Sequence, residues 1–521
     1  MAHRALTSLA VALALGSALS CLPQSNVVVL RETAVPGKFG TVSFPLSCAP
    51  RVRSEFNEGL ALLHSFWHDE AYASFERVAS SDPNCALAYW GEAMTHFHQL
   101  LSTPTDADIQ AGAAELHKAD LAQEKSSLEI AYIRALHLFF DGYAPELYQQ
   151  HAASYADAMA KVARTNPHDL EVQAFYSLAL LASAPQNETL INQRKAVAIL
   201  GPLFQLHPNH PGIAHYIIHA CDNPRMAQLG LRAARHYAEI APRVPHALHM
   251  PAHIFTRLGL WQDDIQTNLA SKAAAEAGGL HRGAENRLHA MEFLEYAYLQ
   301  QGKFEEAAAI VAEAKTIAPS DVNPRYPDMW PSVEARYPAL LAIETKDWTA
   351  AKHLPDAKGP VGRESMLLAR AEGAAHLHDR DAAIETLTQI EPSSKTATSI
   401  EIRAWVAFAR GELKQATEIL QPLVERQAKV GKGEVEIPAC EMLADMLLLS
   451  GRFDEALGLY QQSLVTDPNR FNALLGAIES AGKLGRNDLA ARYYRVLARN
   501  RPNVDGSAAA EMNEARRWSN Q

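Results

Sequence analysis

The sequence predicts an all-α protein in which helix–turn–helix units repeat along the chain. Two segments, 298–319 and 447–468, share one pattern: a helix, a glycine turn, an aromatic residue two positions later, and an alanine where a second helix crosses the first. A similar segment spans 55–83. Apolar residues make up 48% of the 521 residues and charged residues 21%, a composition typical of a packed chain rather than a disordered one. The repeated positions are Gly302, Phe304, Ala307 and Pro319 in one segment, and Gly451, Phe453, Ala456 and Pro468 in the other.

Each element of this pattern has a physical reason. Glycine adopts the backbone angles of the turn, the small residue lets two helices approach closely, and proline ends the second helix. Looser copies lie around Gly411 and Gly485, with weaker ones near Asp347 and Asp379. The pattern resembles the tetratricopeptide repeat, a helix–turn–helix unit of about 34 residues. That resemblance implies an α-solenoid, a fold that serves mainly as a binding scaffold.

The runs 59–71 and 245–259 resemble exported bacterial tetratricopeptide-repeat proteins. No settled activity belongs to that group. The resemblance therefore implies fold and export, and it transfers no catalytic residue.

Residues 1–20 have the features of a secretory signal peptide. His3 and Arg4 precede the apolar run 5–19, and small residues at Ala18 and Ser20 suit cleavage before Cys21. Cys21 then stands where a lipoprotein cysteine is acylated, although Ala18 replaces the preferred leucine. We expect an exported protein that is either free in the periplasm or membrane-anchored by lipid on Cys21. The rest of the chain has no apolar run long enough for a membrane span.

The remaining chain divides by composition. We expect a linker over 21–50, an N-terminal array over 51–318, a connecting segment with a weak repeat over 319–363, a C-terminal array over 364–503 and a polar tail over 504–521. The stretch 319–338 contains five prolines and three aromatic residues, so we predict no helix through it. It is either a packed linker or a loop that covers a groove. Its aromatic residues are Tyr326, Trp330 and Tyr337.

Histidines are concentrated in one part of the chain. Ten of the 22 lie between His207 and His289. His215 and His249 are 34 residues apart, as are His219 and His253, so they occupy equivalent positions of neighbouring repeats. In each repeat the two histidines are four residues apart and share one face of a helix.

Those positions face the concave groove in tetratricopeptide arrays. Counting the turn glycine as position 15, residues at positions 2, 5, 9 and 12 line that groove. Three neighbouring helices are then expected to direct eight candidate metal ligands, and Tyr296, into one groove. The predicted ligands are His215, His219, Asp222, His246, His249, His253, His289 and Glu292.

Imidazoles with a few carboxylates suit zinc, copper, iron or nickel better than calcium or magnesium. The sequence lacks the HExxH motif of zinc proteases. Glu292 is a candidate ligand or general base, and Tyr296 a candidate proton donor. If a helix begins at Pro251, however, His246 and His249 lie on the preceding loop and the shared face is only approximate.

Three functions remain open at this point. The first is an exported binding scaffold that holds a transition metal in its N-terminal groove and docks a protein or peptide partner there. The second is a metal-dependent enzyme of hydrolase or oxidase type at that site, and the third is a metal-free interaction scaffold. The net charge of −11 disfavours nucleic acid as a partner, and no nucleotide-cofactor motif is present. A Cys48–Cys85 disulfide would suit an exported chain, whereas Cys221 and Cys440 are expected to be buried thiols.

Overall fold

Antiparallel helix pairs follow one another through the chain, as the repeat pattern predicts. A computed structural model describes residues 39–123, 125–185, 189–278, 284–501, 504 and 506–520. Every regular element in these ranges is helical, so the all-α prediction is confirmed. The predicted signal peptide and Cys21 lie outside the described residues. None of the described helices combines the length and the apolar character that crossing a membrane requires.

The first part of the solenoid contains fourteen α-helices within the described residues. They are α1 (Arg53–His64), α2 (His68–Ser81), α3 (Ala86–Thr95), α4 (Asp106–Leu121), α5 (Ser127–Phe140), α6 (Tyr148–Thr165), α7 (Leu170–Ala182), α8 (Ile191–Leu206), α9 (Pro211–Cys221), α10 (Ala227–Ile240), α11 (Pro245–His249), α12 (Pro251–Leu258), α13 (Trp261–Ala277) and α14 (Ala284–Gln300).

The second part continues in the same manner. Its helices are α15 (Phe304–Ala314), α16 (Met329–Pro331), α17 (Tyr337–Glu344), α18 (Trp348–Lys352), α19 (Pro360–His376), α20 (Arg380–Leu387), α21 (Ala397–Ala409), α22 (Leu413–Val430), α23 (Ala439–Leu449), α24 (Phe453–Thr466), α25 (Phe471–Lys483), α26 (Asn487–Asn500) and α27 (Gly506–Asn520). Short 3₁₀ turns lie at Pro50–Val52, Pro145–Leu147 and Pro319–Asp321, and a π turn at Ser332–Arg336.

The turns between paired helices have one geometry. At Gly259 and Gly302, φ is 62° and 68°, and each glycine N–H donates to the carbonyl three residues earlier. Phe66 occupies the same place in the turn between α1 and α2, with φ at 55°. A side chain in this left-handed region costs roughly 1–2 kcal/mol. The first repeat therefore carries a strained aromatic residue where these two repeats have glycine.

Small residues stand where helices cross, again as predicted. A Cβ atom added to Gly91 would lie 2.7 Å from the ring of Phe75. One added to Gly476 would meet the Tyr460 ring at 2.1 Å. Both contacts are closer than carbon atoms can approach without displacement, so these crossings require glycine.

The proline-rich stretch departs from the prediction that no helix runs through it. Helical backbone extends across Pro331 and Pro338, from α16 through the π turn into α17. The wider π turn directly precedes Pro338, where an α-helix would otherwise clash with the proline ring. Proline has thus changed the local helix geometry here rather than ended the helix.

Loops of the second part pack against the turns of the first. The Trp261 indole N–H donates to the carbonyl of Asn469 at 2.8 Å, and the Asn469 side chain donates to the carbonyl of Gly259 at 3.2 Å. Arg257 Nη1 donates to the carbonyl of Lys432 at 3.0 Å. The loop 431–438, between α22 and α23, is thereby held against α12.

A buried arginine joins four of the helices. Arg470 is fully buried and its guanidinium donates to Glu441 at 2.6 Å, to Glu344 at 2.7 Å and to the Tyr296 hydroxyl at 2.6 Å. Its acceptors lie on α14, α17 and α23, and Arg470 itself precedes α25. A buried charge with several partners is costly to leave half-paired, so this cluster fixes how the helices meet.

A disulfide links two segments near the start of the array. Cys48 and Cys85 are bonded and link the segment before α1 to the connection before α3. Cys221 and Cys440 are buried free thiols, and burial raises the pKa of each to about 12. All four cysteines thus agree with the interpretation from sequence.

Replacing Arg470 tests whether its buried ion pairs hold these helices together. We expect Arg470→Met to lower the free energy of unfolding by about 3–5 kcal/mol, because the carboxylates of Glu441 and Glu344 would stay buried without their cation. Urea unfolding followed by circular dichroism measures this change. The control is Arg452→Met, which removes an exposed ion pair with Glu455 and should cost about 0–1 kcal/mol. A similar small loss in both variants would contradict the role given to Arg470.

Candidate metal centre

Six of the predicted histidines come together in the structure as two neighbouring groups. The first histidine set is His215 and His219 on α9 with His246 on α11. The second histidine set is His249 on α11, His253 on α12 and His289 on α14. Within each set, one ligand nitrogen per residue lies within 4.8 Å of the other two. The ring centroids of His219 and His253 are 6.5 Å apart, so the two sets are adjacent.

Helical backbone carries His246 and His249 as well as His253. Helix α11 contains the first two, and Met250, with φ −51° and ψ −35°, joins it to α12. Helix α12 does begin at Pro251, but the residues before it form helix α11, so His246 and His249 do not lie on a loop. Proline at the first position of α12 needs no N–H there, so the chain continues with only a slight break.

In the first histidine set, one imidazole touches the other two. The Nε2 atom of His215 lies 3.0 Å from Nε2 of His219 and 3.1 Å from Nε2 of His246. On its other side, Nδ1 of His215 donates to the carbonyl of His64 at 2.7 Å. That hydrogen bond places the proton on Nδ1 and leaves the Nε2 lone pair directed at the two neighbouring imidazoles.

The second histidine set repeats this arrangement. Nε2 of His249 and Nε2 of His253 are 3.1 Å apart, and the ring centroid of His289 lies 4.4 Å from that of His249 with the two rings tilted by 55°. Nδ1 of His249 donates to Asn268 Oδ1 at 2.7 Å, and Nδ1 of His253 donates to Asp222 Oδ2 at 3.0 Å. Both hydrogen bonds direct an Nε2 lone pair towards the other ring.

Facing lone pairs repel unless a proton or a cation lies between them. Two nitrogens bound to one ion at about 2.1 Å are about 3.0–3.4 Å apart for angles between octahedral and tetrahedral. The observed separations of 3.0 and 3.1 Å fall in this range. Two nitrogen pairs in the first set and one in the second therefore have the spacing of ligands that share one ion.

Burial keeps most of these imidazoles neutral. It lowers the pKa of His215, His246 and His249 well below the usual 6.5, and that of His219 to about 3. His253 differs: burial lowers its pKa, but the Glu434 and Asp222 carboxylates outweigh burial and raise it. Neutral imidazole is the form that binds metal ions.

Two predicted carboxylates lie behind the histidines rather than among them. Asp222 accepts hydrogen bonds from His253 Nδ1 and from Arg257 Nε, the latter at 2.8 Å. Glu292 pairs with Arg336 at 3.0 Å and lies 3.7 Å from Nδ1 of His289. Both are placed to orient a histidine, as carboxylates behind metal-binding histidines commonly are.

Tyr296 is not grouped with the histidines. Its hydroxyl accepts from Arg470 at 2.6 Å and donates to the carbonyl of Glu436 at 3.3 Å. Burial raises the pKa of this hydroxyl. These contacts place Tyr296 in the buried arginine cluster, where it links α14 to the second part of the solenoid.

Several contributors were not predicted from the sequence. The Phe66 ring lies 4.4 Å from His215 and 5.6 Å from both His219 and His246, so the strained turn of the first repeat covers the first histidine set. Asn268 orients His249, and its own amide group donates to Asp264, which fixes the direction of Oδ1. A phenylalanine at a turn position that holds glycine in several other repeats was the available signal for Phe66.

A third group of potential ligands lies deeper. Glu171 accepts from His64 at 2.8 Å and from His210 at 3.0 Å, and all three residues are buried. His64 Nδ1 accepts from the Tyr216 hydroxyl, and His210 Nδ1 accepts from a backbone N–H. Every polar atom of this triad already has a partner. It therefore supports the His64 carbonyl, which in turn orients His215.

A cavity of about 330 Å³ lies in front of both histidine sets. His219, His246, His253 and His289 line one side of it. The proline-rich segment supplies Asn323, Arg325, Tyr326 and Met329, so of the two interpretations offered, this segment covers the groove. The remaining lining residues are Phe66, Trp67, His68, Asp69, His98, Leu100, Leu101, Met250, Glu285, Asn286 and Glu434.

Comparisons with known proteins support the assignment of tetratricopeptide-type repeats. Residues 439–472 match the tetratricopeptide repeat family. With the repeated turns and crossings described above, this makes the chain an α-solenoid of tetratricopeptide-type repeats. No curated protein matches the chain.

Solved structures with detectable similarity share little sequence with the chain. The human IFIT1 dimer with m7Gppp-AAAA is 13% identical, with 84% of this chain and 89% of that chain covered and a TM-score of 0.35. The yeast Tom70 is 11% identical, with 84% and 91% covered and a TM-score of 0.33. The P58(IPK) TPR domain is 14% identical, with 84% and 99% covered and a TM-score of 0.22.

Proposed function

We propose that the N-terminal groove binds two transition-metal ions, one in each histidine set. The main supporting observation is the approach of imidazole Nε2 atoms to 3.0 and 3.1 Å, with hydrogen bonds that hold a proton on Nδ1 of His215, His249 and His253. A proton or a metal ion between the facing nitrogens makes this arrangement favourable, and the convergence of three imidazoles in each set favours the metal ion. The same contacts recur at a spacing of 34 residues, once in each of two neighbouring repeats.

The donors favour a particular group of metals. Six imidazole nitrogens suit zinc, copper, iron or nickel, whereas calcium and magnesium prefer oxygen ligands. Asp222 and Glu292 lie behind His253 and His289, where they would orient the rings and offset part of the ionic charge. Three protein ligands per ion leave a coordination position open, as catalytic sites do.

The size of the cavity limits which ligands can reach the open coordination position. Tetratricopeptide arrays generally bind protein partners, and a peptide in this groove was one of the functions considered. In this chain the groove is partly filled by the loop 431–438 and by the segment 323–329. The space left, about 330 Å³, fits a small molecule. A small ligand at the metal ions is therefore favoured over an extended peptide.

Metal analysis of the untagged protein tests this proposal. We expect about two ions per chain in the wild type, about one in His215→Ala/His219→Ala, about one in His249→Ala/His253→Ala and none in the fourfold variant. The control is His236→Ala, because His236 lies on α10 and pairs with Glu239 away from both sets. Elemental analysis by mass spectrometry, with circular dichroism to verify folding, gives the readout. Metal content that persists in the folded fourfold variant would refute the proposal.

We also propose that the protein is exported, as the N-terminal pattern predicts. A bonded Cys48–Cys85 pair supports this, since disulfides persist in oxidising compartments. Mass spectrometry of the mature chain distinguishes the forms: we expect an N-terminus at Cys21, acylated or free, and an intact disulfide. A chain that keeps residues 1–20 and carries reduced Cys48 and Cys85 would contradict export.

A further inference from the structure

A carboxylate from the second part of the solenoid reaches the second histidine set. Glu434 lies on the loop 431–438, with Oε1 3.6 Å from Nδ1 of His253 and Oε2 4.0 Å from Nε2 of His289. Its side chain is 40% exposed and lines the cavity. Glu434 was not predicted from the sequence, because 145 residues separate it from His289 along the chain.

The loop that carries Glu434 is firmly held. Arg257 donates to the carbonyl of Lys432 at 3.0 Å, and the buried Lys432 ammonium donates to the carbonyl of Glu434 at 2.9 Å. The N–H of Gly433 donates to a carboxylate oxygen of Glu436 at 2.9 Å. These contacts leave the Glu434 carboxylate itself directed at the histidines. A catalytic group needs this kind of preorganised support.

The distance to His289 places the carboxylate just beyond direct coordination. Two ligand atoms on one ion lie about 3.0–3.4 Å apart, whereas Glu434 Oε2 is 4.0 Å from the His289 nitrogen. A water molecule in the open coordination position would therefore lie within hydrogen-bonding reach of Glu434. A carboxylate in that place can accept the proton of a metal-bound water.

The cavity lining indicates the class of substrate. Its charged rim contains the carboxylates Asp69, Glu285 and Glu434, and its one arginine, Arg325, is already paired with Asp108 at 2.7 Å. That arginine is therefore not free to bind a substrate anion. The other walls are apolar or aromatic and suit a neutral acyl group: Phe66, Trp67, Leu100, Leu101 and Met250.

We propose that Glu434 is the general base of a metal-assisted hydrolase and that the substrate is a small neutral carboxylic ester. This inference rests on the proposed metal site. Water on the ion of the second histidine set transfers a proton to Glu434, and the resulting hydroxide forms a bond to the acyl carbon. The bond from that carbon to the alcohol oxygen breaks, and the leaving oxygen takes the proton from Glu434. The products are a carboxylic acid and an alcohol.

Nitrophenyl acetate hydrolysis by the full-length mature protein loaded with Zn²⁺ tests the inference. We expect turnover that requires the metal, and Glu434→Gln should lower kcat/KM by about 10²–10⁴-fold while zinc content stays at the wild-type level. Glu434→Asp should retain part of the activity. The control is Glu425→Gln, an exposed carboxylate on α22 that bonds to Gln421. Its activity should equal that of the wild type.

The outcomes separate the two proposals. A protein that binds zinc but hydrolyses the ester no faster than its metal-free form would overturn the hydrolase and leave the metal site standing. Full activity in Glu434→Gln would overturn the role of Glu434. Loss of zinc in Glu434→Gln would show that Glu434 is a ligand and not a base. Failure of the wild type to bind any metal would overturn the metal site itself.

Discussion

The structure around the groove depends on one constraint: buried imidazoles whose Nε2 atoms face each other at 3.0–3.1 Å. The Nδ1 atoms of His215, His249 and His253 donate to a backbone carbonyl, an amide oxygen and a carboxylate, so these three rings cannot rotate without breaking buried hydrogen bonds. A proton or a metal ion between the facing nitrogens removes the repulsion. The tetratricopeptide period then explains why two such sites are adjacent, since neighbouring repeats present the same face of the helix to one groove.

The rest of the solenoid supports this arrangement from both ends. The first repeat contributes the His64 carbonyl, fixed by Glu171, and the strained Phe66 ring. The second part contributes the loop 431–438, which Arg257 and Lys432 hold over the groove. The Arg470 cluster joins α14 to α17 and α23, and so sets where that loop lies. Repeats usually contact only their neighbours, but here distant parts of the chain share one site.

The features that were predicted correctly are those that depend on residue spacing within a helix or between equivalent positions of neighbouring repeats. The fold and the grouping of six histidines follow from a period of 34 residues and from pairs four residues apart. Contacts between distant segments have no such period, so Asn268 and Glu434 were missed and Tyr296 was expected in the groove. The prediction that no helix runs through the proline-rich stretch was wrong. A π turn lets helical backbone continue past proline, and the positions of the prolines do not reveal it. Packing between segments distant in sequence, which no local pattern encodes, determines the positions of Asn268, Glu434 and Tyr296.

The central claim is that imidazole nitrogens hold metal ions in this groove. Anomalous X-ray diffraction at the absorption edge of the metal found in the purified protein tests it most directly. The account predicts two peaks, each about 2.1 Å from the ring nitrogens of one histidine set. Histidine sets without anomalous density, in crystals of protein shown to contain metal, would contradict it.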